Sequence, residues 1–221
     1  MRYDAVIFDK DGVLLDSMDD NFKWADKMRV EMAQKIGKDI DINTSQEIVH
    51  AGTAKELERI AQRTGLDIDT MKQMEEEVAS RKIQKMEKGE IGLFPTTKKV
   101  LQKVSVPKAV VSNAPYQTTR FTMEKFGLEK YFEVIKSPGI NDIKEYVELK
   151  KPNPQMLEES IEHVGAKNPV MVGDSDDDIK AAKNAGIDSV FVNSNGGTDL
   201  NPSHEVEDLG TVVDIVKGKL T

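Results

Sequence analysis

Asp9 and Asp11 stand two residues apart at the end of the apolar run Ala5-Val6-Ile7-Phe8, within Asp9-Lys10-Asp11-Gly12. On an extended chain, side chains two apart face the same way, so this spacing gathers two carboxylates at one spot. Adjacent carboxylates repel unless a proton or a cation relieves them. A hard dication such as Mg²⁺ would do so, and would also draw a phosphate oxygen toward Asp9. A carboxylate placed in this way can act as a nucleophile on phosphorus, as in enzymes that form an aspartyl phosphate. Gly12 supplies the freedom for a sharp turn. The same four residues would also make an ordinary aspartate-capped surface turn, so the pair needs company before chemistry follows.

Further polar strand ends provide that company. The run Ala109-Val110-Val111 ends in Ser112-Asn113, where a hydroxyl and backbone N–H groups would hold a phosphoryl oxygen or cap a helix. The run Val170-Met171-Val172 ends in Gly173-Asp174-Ser175-Asp176-Asp177-Asp178. Asp176 and Asp177 suit the first turn of a helix, where the macrodipole favours negative charge. Asp174, directly at the strand end, reads as a carboxylate for a hard cation. Lys151 precedes Pro152 in Lys150-Lys151-Pro152-Asn153-Pro154. A fixed ammonium there would neutralise a nucleophile and a phosphate, although an isolated lysine is usually solvated.

The elements that must position these residues follow from hydrophobic pattern. Ala5–Phe8, Ala109–Val111, Phe132–Ile135, Val170–Val172 and Val190–Val192 are apolar throughout, as strands covered on both faces are. They alternate with helical stretches, which predicts an α/β fold with a doubly wound, Rossmann-like parallel sheet. In such sheets ligands bind beyond the carboxyl ends of the strands. From Ser17 to about Gly89 no strand is legible. Asp19–Ile36, Ala54–Thr64 and Thr70–Lys88 read as helices, with Gly37, Gly65 and Gly89 at their C-terminal ends. The predicted division is an α/β core over 1–15 and 90–221 and a small all-helical insert over 16–89. Ser137–Lys150 reads as a loop with one short helix.

Composition narrows the choices. The 221 residues contain no cysteine, which excludes disulfides, thiolate nucleophiles and cysteine zinc sites. Three scattered histidines, His50, His163 and His204, make a histidine metal cluster an unlikely design. A net charge of −8 without a basic stripe argues against a nucleic-acid partner. No apolar run approaches the ~18 residues of a membrane span, nor the core of a signal peptide, so the expectation is a cytoplasmic protein with no membrane partner. Oligomeric state is left open.

Four motifs occur in order: FDKDGVLLDS at Phe8–Ser17, VVSNA at Val110–Ala114, KPNP at Lys151–Pro154 and VGDSDDDIKAAKNAG at Val172–Gly186. Through them the chain resembles, over essentially its whole length, the haloacid dehalogenase superfamily of phosphohydrolases, in its phosphoglycolate-phosphatase-like branch with a helical cap. The resemblance implies a small phosphorylated metabolite as substrate. It makes Asp9 the nucleophile and Asp11 the group that protonates the leaving oxygen and then activates water. It implies Mg²⁺ held by Asp9, the backbone carbonyl of Asp11 and Asp174, with Asp178 behind them. Ser112 and Lys151 would hold phosphoryl oxygens, with Asn113 nearby. An aspartate at position 11 implies phosphate chemistry rather than dehalogenation. The insert would be the closing cap, with His50–Lys55 as its substrate-facing loop, Gly52 as the bend and Lys55 toward an anionic substrate. Three other activities stay open. In a phosphomutase, Asn21 stands where relatives carry histidine. A phosphonate hydrolase needs a buried cap lysine, for which Lys23 and Lys27 are candidates. A regulatory phospho-acceptor like a receiver domain would lack the helical insert.

Overall fold

Strand β1 (Ala5–Phe8) is buried along its whole length, as an apolar run must be when both its faces carry helices. The computed structural model describes residues 1–17, 22–192 and 198–220. Numbered along the chain, the remaining strands are β2 (Leu15–Asp16), β3 (Gly92–Leu93), β4 (Lys108–Val111), β5 (Val134–Lys136), β6 (Pro169–Gly173), β7 (Asp188–Val192) and β8 (His204–Val206). Six of them form one sheet in the order β5-β4-β1-β6-β7-β8. Every neighbouring pair in it is parallel. Chain order reverses at β1, which pairs with β4 on one side and β6 on the other, with Ile7 opposite Ala109 and Met171. Such a switch point is where open α/β sheets bind ligands.

Alternation along β1 feeds two cores. Val6 and Phe8 face α5 (Thr97–Lys103), α6 (Tyr116–Phe126) and α10 (Val212–Val216), in a cluster with Val100, Met123 and Val212. Ile7 faces α8 (Gln155–Val164) and α9 (Asp176–Asn184), with Leu157, Met171 and Ala181. Each fully buried aliphatic or aromatic side chain contributes about 1.5–3 kcal/mol.

Four of the five predicted strands fall within observed ones. The run read at Phe132–Ile135 begins later, at Val134, because Phe132 packs edge-to-face on Phe8 at 6.3 Å instead of pairing. Strand β8 is short, and its outer residue Glu205 is exposed, so no apolar run announces it.

Between β2 and β3, which pair as a two-stranded antiparallel ribbon, come α1 (Lys23–Lys35), α2 (Ile42–His50), α3 (Ala54–Thr64) and α4 (Ile68–Glu87). Three of these helices are legible in the sequence. The first is described only from Lys23 onward, and the predicted start at Asp19 lies outside the described residues. Helix α2 escaped because its stretch buries only Ser45 and Ile48 and carries no apolar stripe. It is nucleated by its cap, Asp41, which accepts a 2.7 Å hydrogen bond from the Thr44 N–H. The short helix expected within Ser137–Lys150 is α7 (Ile143–Leu149). Its Ile143, Tyr146 and Val147 join Ile48, Leu57, Ile60, Met71 and Met74 in one apolar cluster, so α7 packs with the helical block. Among the described residues no helix is long and apolar enough to cross a membrane.

Candidate active site

The site begins where β1 runs out. The Asp9 N–H donates to the Val172 carbonyl at 2.8 Å, so pairing with β6 carries Asp9 past the strand end and fixes its direction. The chain then turns tightly: the Lys10 carbonyl accepts from the N–H groups of Leu14 and Leu15 at 3.0 and 2.9 Å. Gly12 has φ +79°, and a Cβ there would lie 1.8 Å from Asp174 Oδ2. Both facts require glycine. The turn thus brings the first and fourth motifs into contact.

Asp9, Asp174 and Asp178 converge, each offering a carboxylate oxygen, all within 4.8 Å of one another. Lys151 Nζ reaches into them from the start of the loop before α8. It lies 2.5 Å from Asp9 Oδ1, 2.6 Å from Asp178 Oδ1 and 2.9 Å from the Val111 carbonyl. Of the two adjacent lysines it is Lys151, the one in the KPNP run, that reaches Asp9, while Lys150 turns to the Val49 carbonyl. With all three carboxylates ionised, one ammonium would leave two negative charges in excess. Burial raises the Asp9 carboxyl most; Lys151 opposes it and Asp178 and Asp11 add repulsion, leaving it at about 6. Burial, with repulsion from Asp9 and Asp178, pushes Asp174 up to about 8. Burial works against the Lys151 ammonium, but Asp178 and Asp9 outweigh it and hold its pKa above the ordinary lysine range. An all-oxygen donor set with a two-charge excess fits a hard dication. Asp178 belongs to this set more closely than its sequence position suggests. Its Oδ2 also accepts from the Ser175 N–H and Oγ at 3.1 and 2.6 Å, as part of the capping box that starts α9.

Asp11 stands apart from that cluster. Its Oδ2 accepts from Lys10 Nζ at 2.6 Å, and its Oδ1 from Lys82 Nζ at 2.5 Å and Ser17 Oγ at 2.8 Å. Burial alone would raise its carboxyl. Lys10 and Lys82 override this and hold it well below the usual carboxylate range. Lys82 comes from α4 and, despite Asp11, burial pulls it down to about 8. Neither lysine was anticipated. The available signal for Lys82 was its place on the buried stripe of α4, with Met71, Met74 and Met86, where a charge needs a partner.

The remaining expectations separate. Ser112 is buried and its Oγ accepts from the Ala114 N–H at 3.2 Å. The Asn113 amide is engaged on both sides with the Lys151 backbone, Oδ1 at 2.7 Å from its N–H and Nδ2 at 3.0 Å from its carbonyl. It therefore braces Lys151 against β4. Asp9, Asp11, Gly52, Ser112, Asn113, Lys151 and Asp174 all line one cavity of about 360 Å³. Lys55 is exposed on α3 and is not among the residues lining it. Lys23 and Lys27 are exposed on α1, and Asn21 lies outside the described residues. The opposite wall of the cavity includes Asp26, Arg29, Glu75, Tyr146 and Lys150, none of which the motifs indicated.

A family model for haloacid dehalogenase-like hydrolases matches residues 3–186. The chain belongs to that family. It is 35% identical over 103 residues to pyrophosphatase PpaX of Halalkalibacterium halodurans, covering 46% of this chain and 45% of that one. It thus spans about half the length of that relative. It is 30% identical over 200 residues to the phosphoglycolate phosphatase of Neisseria meningitidis, covering 85% of this chain and 79% of that one. Its fold matches the crystal structure of a HAD phosphatase from Thermococcus onnurineus with a TM-score of 0.64 at 24% identity, over 97% of this chain and 98% of that one.

Proposed function

We propose that the protein is a Mg²⁺-dependent phosphatase that hydrolyses a small phosphorylated metabolite through a phosphorylated Asp9, as a phosphoglycolate phosphatase would. The observation that carries this reading is the convergence of Asp9, Asp174 and Asp178 on one lysine, with two negative charges in excess. Asp9, Asp174 and the Asp11 carbonyl would hold the metal, with Asp178 beside them. When bound, Mg²⁺ supplies charge neutralisation and draws the phosphoryl group toward Asp9.

The side chains then divide the work. An Asp9 oxygen attacks phosphorus and the ester oxygen leaves, taking a proton from Asp11. Water next attacks the aspartyl phosphate and gives its proton to Asp11, releasing phosphate and restoring Asp9. Ser112 and Lys151 hold phosphoryl oxygens throughout; positioning and neutralisation are most of what phosphoryl transfer requires. Lys10, Lys82 and Ser17 favour the carboxylate form of Asp11, which the second half needs; for the first half Asp11 takes up its proton with the substrate, whose negative charge competes for Lys10 and Lys82 and raises the Asp11 carboxyl. Residues 16–89 act as a cap that excludes water over a core made of 1–15 and 90–221. A phosphonate hydrolase is disfavoured because the buried lysine on these helices, Lys82, is ion-paired with Asp11.

Phosphate release from a panel of phosphorylated metabolites, with and without Mg²⁺, tests the reading. Release should require the metal and fall by roughly 10⁴-fold or more in Asp9→Asn, with the thermal melt retained. Turnover surviving in that variant would remove Asp9 as the nucleophile.

A further inference from the structure

The lysine and arginine side chains that line the cavity are Arg29, Lys82, Lys150 and Lys151. Three of them have carboxylate partners. Arg29 Nε lies 2.6 Å from Glu75 Oε1, Lys82 Nζ 2.5 Å from Asp11 Oδ1, and Lys151 Nζ 2.5 and 2.6 Å from Asp9 and Asp178. Lys150 differs. Among the described residues, no carboxylate forms an ion pair with it, although it is only 8% exposed. Its ammonium donates to the Val49 carbonyl at 2.5 Å and stands 5.2 Å from the centre of the Tyr146 ring. That leaves two of its three N–H donors without an acceptor among the described residues. Lysine is seldom buried unless paired, so this position lacks a counter-ion that the protein itself does not provide.

The local structure holds Lys150 in place. It is the extended residue that ends α7 (φ −65°, ψ 148°). Successive residues of extended chain send their side chains to opposite sides. Lys151 turns to Asp9, and Lys150 turns to the C-terminal end of α2 at Val49. Its stem is anchored from behind, because Tyr146 and Val147 of α7 are locked into the apolar cluster of the helical block. Asn153 Nδ2 also ties the loop back to the Glu148 carbonyl at 2.6 Å. One short segment therefore presents two ammonium groups to one cavity, one at the phosphoryl site and one away from it. The cavity, at about 360 Å³, has room beyond a phosphoryl group for a leaving group to reach the second.

We propose that Lys150 is the specificity residue for the leaving group, and that the substrate is a phosphate ester whose leaving group carries a second anionic group, carboxylate or phosphoryl. This rests on the phosphatase reading of the same site and deepens it. The anion supplies the counter-ion that Lys150 lacks and accepts its two remaining donors. Burial agrees: it pulls Lys150 down to about 8 against the pull of Glu75 and Asp177, and a bound anion would restore the charged form. Arg29 is less suited to the task, since Glu75 and Asp26 already neutralise it.

The test uses the Mg²⁺-loaded full chain and three esters: 2-phosphoglycolate, fructose 1,6-bisphosphate and p-nitrophenyl phosphate, whose leaving group has no second anion. Lys150→Met should raise KM for the better anionic ester by about 10–100-fold, the range of a lost charge-assisted hydrogen bond. Its kcat should change little, and p-nitrophenyl phosphate should stay within about threefold. Lys150→Arg should recover most of the loss. Whichever anionic ester loses more identifies the anion as carboxylate or phosphoryl. Equal losses on all three esters would mean that Lys150 only braces the Val49 loop, and no loss on any would mean that it recognises nothing; either overturns the proposal while leaving the phosphatase reading intact. A wild type that releases phosphate from no ester overturns both.

Discussion

The two walls of the cavity are built by different means. The wall at the sheet edge consists of residues that follow strand ends: Asp9 after β1, Ser112 after β4 and Asp174 after β6. Their directions are set within one or two residues of a hydrogen-bonded strand. This wall is out of balance, with Asp9, Asp174 and Asp178 against Lys151. The helical wall is nearly self-sufficient. Asp26 accepts from Ser45 Oγ at 2.7 Å and pairs with Arg29, which pairs in turn with Glu75. One wall gathers more carboxylates than its lysine can neutralise. The other is assembled in advance, as a surface that must recognise without reorganising is expected to be. On the proposed reading, the first wall carries the chemistry and the second the selection.

Paired substitutions give the largest test of that division. Lys151→Met leaves Asp9 and Asp178 buried without their cation. Arg29→Met does the same to Asp26 and Glu75. Each should destabilise the fold by about 3–5 kcal/mol, the usual result of removing one partner from a buried ion pair, measurable by chemical denaturation. On p-nitrophenyl phosphate they should part company: Lys151→Met losing at least about 10²-fold in kcat, Arg29→Met less than about tenfold. Similar activity losses would dissolve the distinction between the walls.

The same contrast explains what could be read from the sequence. Strand ends are local objects: an apolar run, then a polar residue whose placement follows from the strand itself. Asp9 and Asp174 are therefore legible as strand-end residues, and so is the sheet, whereas Lys151 follows α7 rather than a strand and is marked only by the KPNP run. Helical faces are decided by what packs against them. Arg29, Glu75 and Lys82 lie on buried faces of α1 and α4, but apart from the i,i+3 pair of Arg29 with Asp26 their partners come from other elements, with Glu75 lying 46 residues from Arg29 and Lys82 lying 71 from Asp11. No spacing rule reaches that far. Helix α7 was legible as a short helix, but nothing local showed that its apolar side would join the helical block. The expectation for Lys55 rests on the resemblance of His50–Lys55 to a cap loop, not on one of the four motifs, and the structure has Lys55 exposed on α3 and outside the cavity lining.

Metal removal sharpens the charge argument. In the metal-free protein Asp174 is raised to about 8 and Asp9 to about 6. The folded state then keeps protons that the unfolded chain, at ordinary carboxylate values near 4, has already released. Stability should therefore fall as pH rises from about 5 to 8, by up to about 1.4 kcal/mol per pH unit for each such proton. Mg²⁺ reverses the repulsion, so it should raise the melting temperature more at pH 8 than at pH 5. Thermal melts in EDTA and in Mg²⁺ at the two pH values decide this. Greater metal stabilisation at pH 5 would contradict the excess charge at the sheet edge.

Lys82 is where the walls meet, since it reaches from α4 to Asp11. In Lys82→Met, Asp11 keeps Lys10 and Ser17 as donors, so the stability change should stay below about 2 kcal/mol. Asp11 would nevertheless lose one of the groups that orient it for proton transfer. A fall of roughly tenfold in kcat, with KM nearly unchanged, is the expected result of steady-state kinetics on p-nitrophenyl phosphate. A change confined to KM would place Lys82 with the selecting wall instead.

The smallest effect belongs to Lys55. Its side chain is exposed and does not line the cavity, whereas Gly52, three residues earlier, does. The bend at Gly52 is held by its own helix: the Gly52 N–H donates to Glu56 Oε2 at 2.8 Å, and Thr53 caps α3 through a 3.2 Å bond from the Glu56 N–H. That arrangement fixes the first turn of α3 with Lys55 on its outer side. Lys55→Ala should alter stability by no more than about 0.5 kcal/mol and leave kcat and KM within about twofold on 2-phosphoglycolate and p-nitrophenyl phosphate alike. A selective rise in KM for the carboxylate-bearing ester would show that the first turn of α3 swings inward when substrate binds. Anion recognition would then be shared between Lys55 and Lys150 rather than vested in one lysine.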